Sequence, residues 1–249
     1  MTEKNNIIAI ASGKGGVGKT WLAVTLAHLF ARSGRSVLLF DGDIGLANVD
    51  VQLGLTPQRD LSSMLSGRHT LKEAITNYAE GGFDIIAGRS GSASLAALPL
   101  EKLERIADDL KDLQKNYDFV VLDLGAGIEQ HVQYLASLAG RCIVVVTDEP
   151  TSLTDAYAFI KIANTSKTPP DMCVVVNQAS TQREGENTYA ALNKACVNFL
   201  NISPPLLGIV RRDNKVKDAI RNQKSLLIRA PHSTAATDTA VLSIKLMQK

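Results

Sequence analysis

The sequence has few cysteines, and this shortage argues against one class of site. Its 249 residues include three cysteines, Cys142, Cys173 and Cys196, which are far apart and form no C-x-x-C pair that could hold a metal cluster. Two of them lie within apolar, strand-like runs. We therefore expect them to be small buried hydrophobic side chains in a reducing compartment.

Net charge and long hydrophobic runs are also scarce. The formal net charge of +2 is too small for overall electrostatics to indicate nucleic acid or an anionic membrane as a partner. No apolar run approaches the roughly 20 residues that a membrane span needs, and the first residues lack the pattern of a secretory signal. These absences predict a cytoplasmic protein, in which any contact with membrane or nucleic acid is local.

What the chain does contain is the pattern of an α/β fold. Hydrophobic residues make up 45% of it, enough for a large core, and residues 1–249 are predicted to form a single domain. Short β-branched runs alternate with helical patterns, which predicts a doubly wound, mostly parallel sheet with helices on both faces. The predicted strands are residues 7–11, 37–40, 83–87, 119–124, 142–147, 172–177 and 206–210, and the predicted helices are residues 20–33, 99–115, 154–165 and 186–200.

A phosphate-binding loop follows the first predicted strand. It fits G-x-x-x-x-G-K-[ST], in which glycines let backbone N–H groups converge on phosphate oxygens beside a helix N-terminus. Lys19 would reach the β and γ phosphates, and the Thr20 hydroxyl would bind Mg²⁺. The alternative is a glycine-rich turn that fits the pattern by chance. The predicted nucleotide-binding residues of the loop are Gly13, Lys14, Gly15, Gly16, Val17, Gly18, Lys19 and Thr20.

Acidic residues follow two other predicted strands. Asp41 and Asp43 come after the second strand, and Asp123 ends a strand further along the chain. Because ligands bind at the carboxyl ends of strands in such sheets, these carboxylates would lie where Mg²⁺ and an attacking water are needed. The alternative for the first pair is an Asp-Gly turn that caps a helix. Asp123 is predicted to hold Mg²⁺ through water.

Together these segments resemble the MinD/ParA family of dimerising ATPases with a deviant phosphate loop. The similarity rests on KGGVGKT at residues 14–20, DGDIGLANVD at 41–50, DLGAG at 123–127 and EPTSLTDAY at 149–157. It implies ATP and Mg²⁺ as cofactors and slow, partner-stimulated hydrolysis by a homodimer that forms with ATP. It also implies that Lys14 reaches the phosphates of the second subunit, that Asp43 positions the water, and that Asp41 supports the metal side. The alternative for Lys14 is an ordinary surface lysine.

Within that family, the chain is most similar to the flagellar-number regulators of the FleN/FlhG/YlxH group. The strings at 41–50, 123–127 and 149–157 carry this similarity, together with AGRSGS at 87–92. It implies a switch that controls the number or placement of flagella through a protein partner, at the membrane or the cell pole. The loop at 88–92 is either a partner-sensing surface or an ordinary flexible loop.

The family also suggests where a base would bind, although the chain departs from its pattern there. Asn177 would recognise adenine, but Gln178 follows it in place of the usual arginine. Asp213 keeps the aspartate of the I-P-x-D motif, whereas Arg211 replaces its proline. Asn177 and Asp213 are therefore the predicted base-side residues. In the 149–157 segment, Thr154 or Ser152 is predicted to cap the next helix, with a dimer contact as the alternative.

Two other functions stay open. A DNA-partitioning ATPase would bind nucleoid DNA through the seven basic residues between Arg211 and Arg229, although such a run is more often a solvated helix face. A metal-cluster assembly scaffold shares the loop but normally has the C-x-x-C pair that this chain lacks. The C-terminal segment has few lysines and no large aromatic residues, which favours packing on the core over binding a membrane surface.

Overall fold

A computed structural model provides the structure, which describes residues 5–43, 47–57, 59, 61, 69–88, 99–166 and 168–248. The strands are β1 (Ile7–Ser12), β2 (Val37–Gly42), β3 (Ile75–Tyr78), β4 (Phe83–Ile86), β5 (Phe119–Ala126), β6 (Arg141–Val146), β7 (Asp171–Ala179) and β8 (Leu206–Arg211). The helices are α1 (Lys19–Arg32), α2 (Val49–Leu53), α3 (Leu100–Leu113), α4 (Gln130–Ser137), α5 (Pro150–Asn164), α6 (Gln182–Leu200), α7 (Asn214–Arg221), α8 (Leu226–Arg229) and α9 (Thr234–Met247).

The predicted fold class is confirmed. The eight strands lie in the order β3-β4-β2-β5-β1-β6-β7-β8, and all neighbouring pairs are parallel except β3 with β4. Side chains alternate between two cores: Ile7 and Ala9 of β1 pack with α3 to α6, whereas Ile8 and Ile10 pack with α1, α2 and α7 to α9. Both faces of the central strands are therefore buried, which explains their near-continuous apolar sequences.

The seven predicted strands are present, with ends shifted by at most two residues. The sequence analysis missed β3, because this short edge strand has one neighbour and carries the half-polar sequence Ile-Thr-Asn-Tyr. It also missed α2, α4 and α7 to α9, most of which are too short for a clear helical period. Helix α9 packs on α1 and β8, as predicted for the C-terminal segment. The three cysteines are buried, also as predicted.

The predicted start of α5 was wrong. The helix begins at Pro150, four residues before the predicted start, because proline is favoured at the first helical position. Ser152 and Thr154 therefore lie inside the helix and do not cap it: the Ser152 hydroxyl accepts from Thr147 N at 3.0 Å, and Thr154 Oγ1 donates to the Pro150 carbonyl at 3.1 Å. No helix in the described part of the chain is long and apolar enough to cross a membrane.

Candidate functional site

The predicted site lies where β2, β5 and β1 end side by side. Asp41 of β2 is paired in register with Asp123 of β5, which in turn pairs with Ile10 of β1. These strand ends and the phosphate loop open onto a cavity of about 850 Å³, within the range of about 300–1,000 Å³ that is usual for small-ligand sites. Residues that line it include Gly15, Gly16, Gly18, Lys19, Thr20, Asp43 and Gly125.

The glycines of the phosphate loop occupy positions that other residues would strain. Gly16 and Gly18 have φ angles of 78° and 97°, in the left-handed region that favours glycine. A Cβ on Gly13 would lie 2.1 Å from the backbone of Asp155 in α5, so only glycine fits there. Helix α1 begins at Lys19, within the last residues of the loop, so its N-terminal N–H groups and positive dipole end lie at the cavity that Gly18, Lys19 and Thr20 line.

Lys19 is buried beneath the loop. Its Nζ donates to Ser12 Oγ at 3.0 Å, and Ser12 Oγ donates to the Lys14 carbonyl at 2.6 Å. Burial lowers the pKa of Lys19, whereas the nearby Asp123 and Asp43 oppose that effect. The lysine thus faces carboxylates across the cavity floor, and bound phosphates would supply the anionic charge that a buried ammonium needs.

Asp123 and Thr20 have the chemistry of a magnesium site. Asp123 is 1% exposed, and its Oδ1 has no hydrogen-bond partner among the described residues. Burial raises the pKa of Asp123 to about 7, against the Thr20 hydroxyl and Lys19, which lower it. A buried carboxylate oxygen without a donor suits a hydrated cation, and the Thr20 hydroxyl beside it is a second oxygen ligand.

Asp41 was predicted to support metal binding, but its hydrogen bonds are to backbone N–H groups. Its carboxylate accepts hydrogen bonds from the backbone N–H groups of Asp43, Asn48 and Val49, at 3.2, 3.0 and 3.0 Å. Burial and the neighbouring Asp123 raise its pKa to about 8, although those three donors lower it. Asp41 therefore holds the chain that enters α2, and its contribution to metal binding stays a prediction.

Asp43 reaches the cavity, as its predicted role requires. Its side chain lines the cavity beside Gly125 of β5, and it contributes to the charge around Lys19. The positioning of water by Asp43 stays a prediction. Residues 44–46, which continue the acidic string, lie outside the described residues, as do residues 89–92 of the predicted partner-sensing loop.

Lys14 is held by its own chain, which the sequence analysis did not anticipate. Its Nζ forms an ion pair with Glu149 and donates to Thr151 Oγ1 at 2.7 Å. Both partners belong to the 149–157 segment, 135 and 137 residues further along the chain. Lys14 remains 33% exposed, so it lies at the surface, close to the phosphate loop.

The residues predicted to recognise a base do not line the cavity. The Asn177 amide donates to the Val17 carbonyl at 2.8 Å. The Asp213 carboxylate accepts from Lys215 N at 2.9 Å and from Ala235 N at 3.1 Å, which ties the starts of α7 and α9 together. Adenine recognition by Asn177 and Asp213 therefore stays a prediction.

The basic segment from Arg211 to Arg229 is partly neutralised. Three of its seven cations form ion pairs, Arg211 with Asp238, Lys224 with Glu80 and Arg229 with Asp218. For Arg212, Lys215, Lys217 and Arg221, no ion pair is present among the described residues.

Several cavity residues were not predicted from the sequence. Asn48 and Gln52 line it from α2 and the residue before that helix, and Glu129 and His131 line it around the start of α4. Arg221 at the end of α7 also lines it. Asn48 is part of the quoted acidic string, which was the available signal. Arg221 belongs to the basic segment, which was considered only as a DNA contact, and nothing in the local pattern marks Gln52, Glu129 or His131 as cavity residues.

Comparisons with known proteins agree with this geometry. The profile of the CobQ/CobB/MinD/ParA nucleotide-binding domain matches residues 8–226. The antiactivator FleN of Pseudomonas aeruginosa is 38% identical over 230 residues, covering 92% of this chain and 82% of that protein. The flagellum site-determining protein YlxH of Helicobacter pylori is 34% identical over 227 residues, covering 90% and 76%. The structure of the septum site-determining protein MinD from Pyrococcus horikoshii, in complex with Mg-ADP, is similar in fold, with a TM-score of 0.83 at 23% identity, covering 98% of this chain and 96% of that one.

Proposed function

The chain belongs to the CobQ/CobB/MinD/ParA nucleotide-binding family, and from this we propose that it is a Mg²⁺-dependent ATPase that dimerises with ATP and controls the number or placement of flagella. One observation carries the chemistry: Lys19, Thr20 and Asp43 line one cavity, with Asp123 on the strand below them. The names of the relatives FleN and YlxH support flagella as the assembly that is controlled.

The residues of the cavity have different roles in phosphoryl transfer. The N–H groups of the loop and the Lys19 ammonium bind and neutralise the phosphates, and Asp43 orients the attacking water. The Thr20 hydroxyl and, through water, Asp123 would hold Mg²⁺, which neutralises charge on the phosphates when it is bound. Little covalent chemistry is required of the protein, so positioning determines the rate.

Lys14 couples hydrolysis to dimerisation. In the single chain its ammonium is paired with Glu149 and Thr151. When a second copy brings its phosphates to this surface, Lys14 supplies positive charge to them, as an arginine finger does in other nucleotide hydrolases, a role worth about 10³–10⁵ in rate. Turnover is therefore slow in the monomer and rises in the dimer.

The biochemical test compares Lys14→Ala with a matched lysine. Sedimentation should give a dimer with Mg-ATP and a monomer with Mg-ADP, and Lys14→Ala should lose both the dimer and the faster phosphate release. Lys224→Ala, which removes a lysine paired with Glu80, should behave like the unchanged protein. If Lys14→Ala dimerised and hydrolysed ATP normally, the role of Lys14 across the dimer would be wrong.

The cellular test is the number and position of flagella in the source organism after deletion of the gene. We expect a changed count or placement, restored by the intact gene and not by Asp43→Ala. Unchanged flagella would refute the flagellar assignment while leaving the ATPase intact. A protein partner from the flagellar or positioning machinery would respond to the bound nucleotide. For this, the partner must bind the ATP form and the ADP form with different affinities.

DNA partitioning is the second candidate, and it is favoured by the cations of the basic segment that form no ion pair in the described part of the chain. Arg212, Lys215 and Lys217 could contact phosphates of a DNA backbone. Such binding would be independent of sequence, would appear only with ATP, and would fall steeply with salt. Filter binding at two salt concentrations, with ATP and with ADP, tests it. Binding that is the same in both nucleotides would contradict this candidate.

A further inference from the structure

One cation of the basic segment, Arg221, lies at the phosphate cavity. It is the last residue of α7, and its side chain lines the cavity that Lys19 and Thr20 also line. Among the described residues, Lys19 and Arg221 are the only lysine or arginine side chains that line it. Lys19 lies beneath the loop, whereas Arg221 belongs to a helix of the cavity wall. The cavity therefore has positive charge on two sides.

The end of α7 is held against α2. Gln223 Nε2 donates to the Val51 carbonyl at 3.3 Å, and a Cβ on Gly54 would lie 3.0 Å from the Cβ of Gln223. Gln223 has a φ of 53°, and its N–H donates to the Ile220 carbonyl at 3.0 Å, which ends the helix. The position of Arg221 is therefore set by contacts other than its own.

The charge of Arg221 is not neutralised by the described part of the chain. Its guanidinium forms no ion pair and no hydrogen bond with another described residue, whereas Arg229 of the same segment pairs with Asp218 at 2.9 Å. Arg221 is also exposed. A guanidinium can bind a phosphate group through two parallel hydrogen bonds. An arginine in the wall of a phosphate cavity is thus suited to the ligand and has no competing carboxylate among the described residues.

The position of α2 indicates which phosphate Arg221 meets. Asp43, which is predicted to orient the attacking water, lies in the segment that leads into α2 and lines the same cavity. Val51 and Gln52 of α2 line it together with Arg221. Water attacks the terminal phosphate, so the wall built from α2 and the end of α7 lies on the side of that phosphate. ADP lacks this group.

We propose that Arg221 binds the terminal phosphate of the ATP held by its own chain, and that it thereby raises affinity for ATP relative to ADP. This role rests on the proposed ATPase function. It assigns Arg221 to the nucleotide and leaves Arg212, Lys215 and Lys217 as the candidate DNA contacts.

The test measures binding of Mg-AMP-PNP, a triphosphate analogue that is not hydrolysed, and of Mg-ADP to the full chain by calorimetry. Arg221→Gln should weaken Mg-AMP-PNP by about three- to tenfold, between the values for an exposed ion pair and for a hydrogen bond to a charged group. Mg-ADP should change by less than about twofold. Arg221→Lys keeps the charge without the paired donors, so its loss should be smaller.

Lys217→Gln is the matched control. Lys217 is an exposed cation of the same helix that does not line the cavity, so neither affinity should change. Without ligand, Lys217→Gln and Arg221→Gln should melt at the same temperature, because each removes one exposed cation from α7. A lower melting temperature for Arg221→Gln alone would mean that Arg221 stabilises the fold, and the proposal would be wrong.

A background that does not dimerise separates the chain's own nucleotide from that of a second copy. Each measurement is repeated with Lys14→Ala, and sedimentation checks that this protein is a monomer. The loss caused by Arg221→Gln should persist, because the cation and the phosphate belong to one chain. A loss seen only in the dimer would assign Arg221 to the nucleotide of the second subunit and would overturn the proposal.

Two results with the calorimeter would also overturn it. Unchanged binding of Mg-AMP-PNP by Arg221→Gln would show that the guanidinium does not reach the phosphate. Equal losses for Mg-AMP-PNP and Mg-ADP would show that Arg221 does not distinguish the terminal phosphate. Both results leave the proposed ATPase function intact. If the unchanged protein bound neither nucleotide, that function would fall, and the role of Arg221 with it.

Discussion

Replacing Glu149 by glutamine should strengthen ATP-dependent dimerisation. The Lys14–Glu149 pair is partly exposed, with 33% and 59% of the two side chains accessible. Exposed pairs contribute about 0.2–1 kcal/mol. A dimer contains two such pairs, so their loss changes the free energy of association by about 0.4–2 kcal/mol, or about 2- to 30-fold in the dimer dissociation constant. Removing a carboxylate beside the incoming phosphates acts in the same direction.

The assay is sedimentation equilibrium with Mg-ATP and Asp43→Ala as background, so that hydrolysis does not deplete the nucleotide. Glu80→Gln is the control, because Glu80 forms a similarly exposed pair with Lys224. The effect of Glu149→Gln requires Lys14, so adding Glu149→Gln to Lys14→Ala should not restore the dimer that Lys14→Ala loses. A weaker dimer in Glu149→Gln would show that Glu149 aims Lys14 at the partner, and our reasoning would be refuted.

Three further predictions concern stability. His28 is buried beside Ser225, with 2.7 Å between Nδ1 and Oγ, and burial lowers its pKa from 6.5 to about 4. The unfolded chain therefore binds more protons between those values, and stability should fall as pH drops from about 6.5 to 4. For Asp123 the pKa is raised from 3.8 to about 7. Stability without Mg²⁺ and nucleotide should therefore fall as pH rises through that window, and Asp123→Asn should reduce the loss, with the buried Asp41 contributing the remainder. Gly13→Ala should destabilise the chain by about 1–3 kcal/mol, because its Cβ would meet the backbone of Asp155.

Urea unfolding at several pH values checks all three. His28→Gln cannot titrate, so the free energy of unfolding should fall less between pH 6.5 and 4 in this variant. An unchanged dependence on pH would contradict the assignment to His28. Asp123→Asn should raise the free energy of unfolding more at pH 8 than at pH 5. Equal increases at the two pH values would mean that Asp123 does not titrate as described. Gly15→Ala is the control for Gly13→Ala, because a Cβ there meets nothing within 4 Å. Equal costs at the two glycines would contradict the packing argument.

Much of the fold and of the cavity could be predicted from the sequence. The seven predicted strands could be recognised because most of their residues are buried and apolar, as β1 is from Ile7 to Ala11. The phosphate loop could be recognised because its backbone needs positive φ angles, which favour glycine, as at Gly16 and Gly18. Asp43 and Asp123 could be placed because the carboxyl ends of parallel strands lie at one edge of the sheet.

The start of α5 shows where local reading failed. Ser152 and Thr154 are good capping residues in isolation, but Pro150 begins the helix earlier and leaves both inside it. The Ser152 hydroxyl then accepts from the N–H of Thr147, the residue after β6. A capping preference is a weak local term, and the position of the strand before the helix outweighed it.

The sequence by itself determined seven of the strands, the four longer predicted helices, the phosphate loop and the acidic residues at the strand ends, because these depend on periodicity and on neighbours within a few residues. Three sets of contacts were decided only by the tertiary structure. Lys14 forms an ion pair with Glu149, Asp41 accepts hydrogen bonds from the backbone before α2, and Asn177 and Gln178 donate to carbonyls of the phosphate loop. Polar side chains take whichever partner the folded sheet brings within hydrogen-bond distance. For Lys14 and Asn177 that partner is more than a hundred residues away, so no local pattern records it.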